Sequence, residues 1–306
     1  MKVSTRISIA LLITASACGD PSSTRRDDDH VDAGDEVSTR CSMPIACPAP
    51  SSATKQTICG QLYDFESNAV FADQVATTCT AATPSGPCSL AIEAYDVISF
   101  SVTGGQAAPL AHGPVEIDGC GRYRIPDIEV PGGPFIGIVV DDVSARGPSG
   151  TTVPTVIAAV KIAGTATQGV ETWIVREATT SHWASTGGPP LASGVFVPVF
   201  RAHATGLETQ SGVTFTSTST PSGQFYFDAA AMPRTTIDAE AVATGVNGTA
   251  LVTDATYSAG VAYSGTGGLA NPASCTWAIK PGASIPGTVF IQLFRPTNVV
   301  GQTCTL

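Results

Sequence analysis

One stretch decides the fold class of this chain: Val115-Glu116-Ile117-Asp118-Gly119-Cys120-Gly121-Arg122-Tyr123-Arg124-Ile125. Apolar and polar residues alternate before and after a short segment with two glycines, which is the pattern of two strands joined by a tight turn. The same alternation recurs in residues 58–64 and 89–96, and residues 135–140 are apolar on both faces, as in a central strand. The sequence therefore predicts an all-β fold.

The composition is typical of many short strands joined by turns. Charged residues make up 13% of the 306 residues, against about 25% in an average globular protein. Glycine (31) and proline (22) are frequent and interrupt the apolar segments. The formal net charge is −10, so we expect no nucleic-acid partner.

The N-terminus has the pattern of a secretory signal that ends at a cysteine. Lys2 and Arg6 frame the start of an apolar run at residues 7–13, and Ala15-Ser16-Ala17-Cys18 follows. This resembles the lipobox of bacterial lipoproteins, which implies cleavage before Cys18, acylation of Cys18 and a membrane as partner. By resemblance to the enteric sorting rule, Gly19 implies the outer membrane, with the body either periplasmic or surface-exposed. A soluble protein released after Ala17 and an uncleaved anchor are the open alternatives.

The chain divides into five predicted segments. Residues 1–17 are predicted to be the signal peptide, and residues 18–56 are predicted to be a disordered acidic tether because they are polar and lack an apolar period. The alternative for the end of this segment, residues 41–56, is that it forms the folded edge of the next domain. Residues 57–145 and 206–306 are predicted as two β-sandwiches. The connecting segment, 146–205, contains strand patterns, and the helical spacing of Val170, Trp173 and Ile174 predicts a short helix near residues 169–182.

Nine cysteines support an oxidising compartment, because lipidation of Cys18 leaves an even number for disulfides. The eight predicted disulfide cysteines are Cys41, Cys47, Cys59, Cys79, Cys88, Cys120, Cys275 and Cys304. Spacing favours the pairs Cys275–Cys304, Cys41–Cys47 and Cys79–Cys88, which leaves Cys59–Cys120. A zinc site is the competing interpretation, but the sequence has no Cys-x-x-Cys and no suitably placed histidine, so no metal is predicted.

The first sandwich carries a family resemblance. The motifs Gly60-Gln61-Leu62-Tyr63-Asp64-x-Glu66, Ala91-Ile92-Glu93-Ala94-Tyr95-Asp96 and Asp118-Gly119-Cys120-Gly121-Arg122-Tyr123-Arg124-Ile125 resemble the carboxypeptidase regulatory-like domain. The resemblance implies a transthyretin-like β-sandwich that serves as an accessory module without catalytic residues. The pattern departs from that family between Phe71 and Gly86. The whole chain also resembles lipoproteins of myxobacteria and their relatives, and the expected architecture is two tandem immunoglobulin-like or transthyretin-like sandwiches.

The motifs of common enzymes are absent. There is no G-x-S-x-G elbow, no H-E-x-x-H, no P-loop and no G-x-G-x-x-G, so no catalytic residue and no cofactor is predicted. A hydrolase site built from His182, Ser185, His203 and a carboxylate within residues 146–205 is the alternative hypothesis.

The sequence offers two candidate binding sites, each with a simpler interpretation. Asp141 and Asp142, with Asp96 or Asp118, are candidates for a calcium site, although such residues are more often solvated turns. Six aromatic residues are candidates for stacking on carbohydrate: Trp173, Trp183, Trp277, Tyr226, Tyr257 and Tyr263. For Trp277, which comes two residues after Cys275, packing against the disulfide of that cysteine is the favoured interpretation. The expected function is therefore a non-catalytic cell-envelope lipoprotein, a structural or binding module for a protein or carbohydrate.

Overall fold

The computed structural model describes residues 45–71, 79–80, 90–118, 120–142, 152–228, 234–258 and 260–301, and β-strands are their dominant regular element. These ranges contain strands β1 (Lys55–Asp64), β2 (Cys79–Thr80), β3 (Leu90–Asp96), β4 (Glu116–Ile117), β5 (Arg122–Glu129), β6 (Phe135–Asp142), β7 (Thr152–Val153), β8 (Thr155–Val160), β9 (Ala166–Arg176), β10 (Val195–Phe200), β11 (Val213–Ser217), β12 (Gly223–Phe227), β13 (Ile237–Asp238), β14 (Ala250–Thr253), β15 (Tyr263–Gly267), β16 (Cys275–Trp277), β17 (Val289–Phe294) and β18 (Pro296–Asn298). They also contain helices α1 (Val97–Val102) and α2 (Glu177–Ser185) and a 3-10 helix at Leu191–Ser193. The predicted all-β class is confirmed.

Two large sheets carry the fold. One has six strands in the order β2-β4-β5-β1-β9-β7, and the other has eight in the order β13-β12-β14-β10-β17-β8-β6-β3. Two ribbons, β11–β15 and β16–β18, lie outside these sheets. Strand β1 pairs with β9 in parallel, and β8, β17 and β10 are parallel neighbours. A tight turn cannot join two parallel neighbours, so a longer stretch of chain must connect them. The connection from β8 to its neighbour β17 passes through the other sheet, because β9 of the six-stranded sheet lies between them in the chain.

The predicted strand-turn-strand unit forms as expected. Strands β4 and β5 pair antiparallel, and the turn between them is held by Asp118, whose carboxylate accepts hydrogen bonds from the backbone N–H groups of Cys120 at 2.9 Å and Arg122 at 3.0 Å. Gly121 has φ +69°, and a Cβ there would lie 2.5 Å from the carbonyl oxygen of Phe71. The turn therefore requires glycine at this position.

The eight-stranded sheet is buried on both faces at its centre. All six residues of β10 are buried. Val195, Val197 and Val199 share a core with aromatic residues of the six-stranded sheet, whereas Phe196 and Phe200 share a second core with residues of the two ribbons. Side chains of a strand alternate between faces, so this one strand contributes to two core layers.

The division into two tandem sandwiches differs from the structure. Residues 57–145 contribute strands to both large sheets and enclose a core of their own around Tyr123 and Ile138. However, β6 pairs with β8 in the same sheet. Strand β8 in turn pairs with β17, which comes from the segment predicted as the second sandwich. The predicted boundaries at 145 and 206 therefore cut through one continuous sheet, and Arg40–Leu306 is one structural unit.

Two further boundaries are corrected. The predicted helix near residues 169–182 is the strand β9 as far as Arg176, and α2 begins at Glu177. Residues 171–175 are all buried beside β1, and the three apolar residues at 173–175 do not distinguish helix from strand without their partner. The end of the predicted tether also belongs to the folded unit, because β1 begins at Lys55. Residues 1–44, including Cys18, lie outside the described residues.

Candidate functional site

A cluster of buried arginines lies where β9, β10 and β17 meet. Glu171 of β9 accepts hydrogen bonds from Arg201, which directly follows β10, and from Arg295, which directly follows β17. Its two carboxylate oxygens are each used by one arginine. The side chain of Arg201 is fully buried and that of Glu171 is 8% exposed. The cluster thus links the six-stranded sheet to the eight-stranded sheet.

An internal repeat places the two arginines side by side. The segments Val195-Phe196-Val197-Pro198-Val199-Phe200-Arg201 and Val289-Phe290-Ile291-Gln292-Leu293-Phe294-Arg295 agree at Val-Phe-x-x-x-Phe-Arg. The two strands pair in parallel and in register, with Val195 opposite Val289 and Phe200 opposite Phe294. This repeat is the sequence signal that the two arginines are neighbours, and none of the predictions above uses it.

A third arginine is buried next to this pair. Arg234 is completely buried, and its Nη1 donates to the carbonyl oxygen of Phe65 at 3.1 Å. Asn68, which has a left-handed φ of 58°, offers its side-chain oxygen to Trp173 Nε1 at 3.3 Å and to both Arg201 and Arg234 at 3.4 Å. The asparagine carbonyl is therefore a shared acceptor for three donors.

Aromatic rings cover both guanidinium groups. The guanidinium carbon of Arg201 lies 5.4 Å from the ring centre of Trp173, and that of Arg234 lies 5.0 Å from the ring centre of Phe65. The negative face of each ring partly replaces the water that these cations lose on burial.

The cluster carries more positive than negative charge. Burial, followed by repulsion from Arg201, lowers the pKa of Arg234 to about 9. Burial also lowers the pKa of Arg201, although Glu171 opposes this effect. Within the described part of the chain, Arg234 makes no ion pair, and Asp64, which also acts on it, is paired with Arg176 at 3.2 Å.

A pocket of about 340 Å³ opens beside the cluster. Its walls are Tyr63, Glu171, Arg295, Gly169 and the loop at residues 204–207. Arg295 Nη1 holds this loop by donating to the carbonyl oxygens of His203 at 3.1 Å and Gly206 at 3.0 Å. The pocket is therefore shaped by the same arginine that pairs with Glu171.

Tyr63 offers the pocket an unused hydroxyl group. The residue is 8% exposed, and its ring lies 6.1 Å from that of Trp173. Its hydroxyl makes no hydrogen bond to any residue that the structure describes, and the oxygen is not enclosed by protein, so the hydroxyl is open to the pocket. Burial, and then the charge of Glu171, raises the pKa of Tyr63, so the hydroxyl stays protonated and able to donate at neutral pH.

The candidate hydrolase residues are not brought together as a nucleophile and its base. His182 and Ser185 lie on the exposed side of α2, and Ser185 Oγ donates to the backbone carbonyl of His182 at 2.8 Å. His203 lies in the exposed loop after β10, with Nε2 2.9 Å from a carboxylate oxygen of Glu208. A nucleophilic serine needs a hydrogen bond to the base itself.

The candidate calcium ligands have separate structural tasks. Asp118 closes the β4–β5 turn and accepts a hydrogen bond from Arg122 Nε at 2.6 Å, and Asp96 caps α1 by accepting from the Ser99 N–H at 2.8 Å. Asp141 is buried, and the side chain of Asp142 lies outside the description. In the described ranges no three acidic, histidine or cysteine side chains are grouped so as to hold a metal ion.

The prediction of an aromatic stacking surface is wrong for five of the six residues. Trp173, Trp183 and Trp277 are at most 2% exposed, Tyr226 and Tyr263 are also buried, and Tyr257 alone is half-buried. Trp277 packs on Phe200, with ring centres 5.1 Å apart, because β16 covers the outer face of β10. These rings fill the core and cannot stack on a ligand at the surface.

The structure corrects the predicted disulfide pairing. Cys47 is bridged to Cys59 with a Cα–Cα distance of 5.9 Å, so the pairs Cys41–Cys47 and Cys59–Cys120 are wrong. Cys59 lies in β1 opposite Arg124 of β5, whereas Cys120 lies in the turn that precedes β5. Cys120 and Cys275 are also disulfide-bonded.

Other predicted cysteine sites stay untested. The side chains of Cys18, Cys41, Cys79, Cys88 and Cys304 lie outside the description, and so do the predicted Cys79–Cys88 and Cys275–Cys304 pairs. Across the described ranges, no helix combines the length and the apolar composition that crossing a bilayer would take. Comparison of the chain with known protein families, curated proteins and solved structures gives no match.

Proposed function

We propose that this chain is a non-catalytic lipoprotein of the bacterial cell envelope, anchored in the outer membrane through acyl chains on Cys18. Its β-rich body would act outside the cytoplasm as a structural or binding module. The observation that carries the proposal is the state of the cysteines: Cys47, Cys59, Cys120 and Cys275, the four whose side chains are described, are all disulfide-bonded. Stable disulfides form in oxidising compartments, which requires export of the chain.

The interior of the protein supports a binding or structural role. The tryptophans and most tyrosines fill cores between the sheets, and the polar pocket beside Glu171 is a concave site that a ligand could enter. The placement of β1, β4 and β5 opposite β3 and β6 supports the proposed likeness to carboxypeptidase regulatory-like domains. Such a module would bind a component of the envelope, either a protein or a carbohydrate.

The test is intact-mass analysis of the chain expressed with its own signal in a bacterium, with and without reductant. We expect a mature chain that starts at Cys18, carries acyl chains and sediments with the membranes. The Cys18→Ala variant should lose the acyl mass and leave the membrane fraction, whereas Ser22→Ala should behave as the wild type. A wild-type chain that keeps Met1, or that carries free thiols throughout, contradicts the proposal.

A further inference from the structure

We propose that the pocket between Tyr63, Glu171 and Arg295 binds a small organic anion through its carboxylate group. The inference rests on the proposed function as a binding module and names the class of ligand that the module would take. Three features of the pocket carry it: its charge, its free donors and its size.

The charge of the surroundings favours an anion. Arg201 and Arg295 share the single carboxylate of Glu171, and Arg234 is buried nearby without an ion-pair partner in the described ranges. Both oxygens of Glu171 are already engaged, so a cationic ligand would find no free carboxylate there. The excess positive charge attracts an anion strongly, because the buried surroundings screen it less than water would.

The donors are placed to receive a carboxylate. Tyr63 lines the pocket and is 8% exposed. Its hydroxyl has no hydrogen-bond partner among the described residues. Arg295 spends Nη1 on the loop carbonyls and one N–H of Nη2 on Glu171, and its Nε–H has no acceptor in the described part of the chain. A phenol O–H and a guanidinium N–H are strong donors to a carboxylate.

The size of the pocket sets the size of the ligand. A volume of about 340 Å³ is at the lower end of the range of about 300–1,000 Å³ for small-molecule sites. We therefore expect a ligand no larger than a single sugar acid. The walls supplied by Tyr63 and Leu207 add apolar contact on two sides.

The test compares two probes that differ in one group. Glucuronate and glucose share the sugar ring, and only glucuronate carries a carboxylate. Saturation-transfer NMR with the exported full chain, purified in detergent, should show saturable binding of glucuronate and none of glucose. Glucuronate that fails to bind, or glucose that binds equally well, overturns the proposal.

Variants assign the binding to the pocket. Tyr63→Phe removes only the hydroxyl and should weaken glucuronate binding about tenfold, the loss expected for one hydrogen bond to a charged group. Tyr257→Phe, outside the pocket, is the matched control and should bind as the wild type. Thr205→Glu adds a negative charge on the exposed loop without touching the core and should abolish binding.

The outcomes separate the two proposals. Unchanged glucuronate affinity in a folded Thr205→Glu variant overturns the site even if Cys18 is acylated. Conversely, a chain that lacks acylation but binds glucuronate through this pocket overturns the anchor alone.

Discussion

Glu171 and Arg201 form an ion pair that joins the two large sheets, and both side chains are buried. Arg295 binds the other oxygen of the same carboxylate. Breaking a buried ion pair from one side costs far more than forming it gains, because the remaining charge stays desolvated and unpaired. The Glu171 carboxylate therefore compensates the positive charge of both Arg201 and Arg295.

Glu171→Gln should lower the free energy of unfolding by about 3–5 kcal/mol, because Arg201 and Arg295 would lose their shared counter-charge. Urea denaturation at neutral pH measures the loss. Glu208→Gln is the matched control, since that carboxylate is 76% exposed and pairs only with His203, and its midpoint should stay close to that of the wild type. Equal midpoints for the two variants would show that the buried pair is not needed for stability.

The double substitution Cys47→Ser and Cys59→Ser should lower the free energy of unfolding by about 2–4 kcal/mol, mainly by releasing the unfolded chain. The bridge spans a sequence separation of 12 and ties residues before β1 to that strand. Thermal unfolding of the oxidised protein measures the change, with Ser52→Ala in the same loop as the control. If the double variant melts with the wild type, the bridge does not contribute to stability.

Tyr123 should contribute a fall in stability as the pH rises above about 10. Tyr123 is fully buried, its hydroxyl lies 2.7 Å from that of Thr172, and burial raises its pKa well above the ordinary value. Above the ordinary pKa the unfolded chain loses this proton while the folded chain keeps it, so the folded state binds more protons and loses stability with rising pH.

Urea midpoints at several values between about pH 9 and 11 would measure this slope. Tyr123→Phe should flatten the slope, although the variant would be less stable at neutral pH because Thr172 loses its partner. Burial also raises the pKa of Tyr226 and Tyr263, which adds to the fall, whereas the lowered pKa of Arg234 opposes it, so the comparison is between the slopes of the variant and the wild type. An identical slope in the variant would assign the whole effect to other groups.

Gly60→Ala should destabilise the protein by about 1–3 kcal/mol or more through overpacking. A Cβ at this position would lie 2.2 Å from the carbonyl oxygen of Val170 and 2.4 Å from the Tyr123 ring, and the Val170 backbone is fixed by the β1–β9 ladder. Gly132→Ala meets no atom within 4 Å and is the control. Calorimetry of the two variants checks the difference, and similar melting temperatures would contradict the packing described here.

The local pattern was enough to predict most strands. The alternation around Tyr123 and the apolar run at residues 135–140 both correspond to observed strands, because hydrophobic periodicity reflects which face of a strand is buried. The same reasoning failed for β9. Trp173 and Ile174 are buried between neighbours that are distant in sequence, so helical spacing and a buried strand look alike there.

Long-range pairing was not predictable from the local pattern. The partner of Cys59 is Cys47, in the segment that precedes β1, and cysteine spacing alone does not show that this segment folds back onto the strand. The arginine cluster was missed because each arginine alone looks like an ordinary residue after a strand. Only the matching segments that end at Arg201 and Arg295 reveal that they are neighbours, once the two strands are known to be parallel and in register.

The position of β17 has a consequence for the order in which the protein can be completed. This strand sits between β8 and β10 in the eight-stranded sheet, yet it is made after both of them. Until residues 289–294 emerge from the ribosome, those two strands lack their common neighbour and the sheet stays split. Since non-local strand pairing is slow, the eight-stranded sheet can close only late, after its central strand β17 has been added between two strands made earlier.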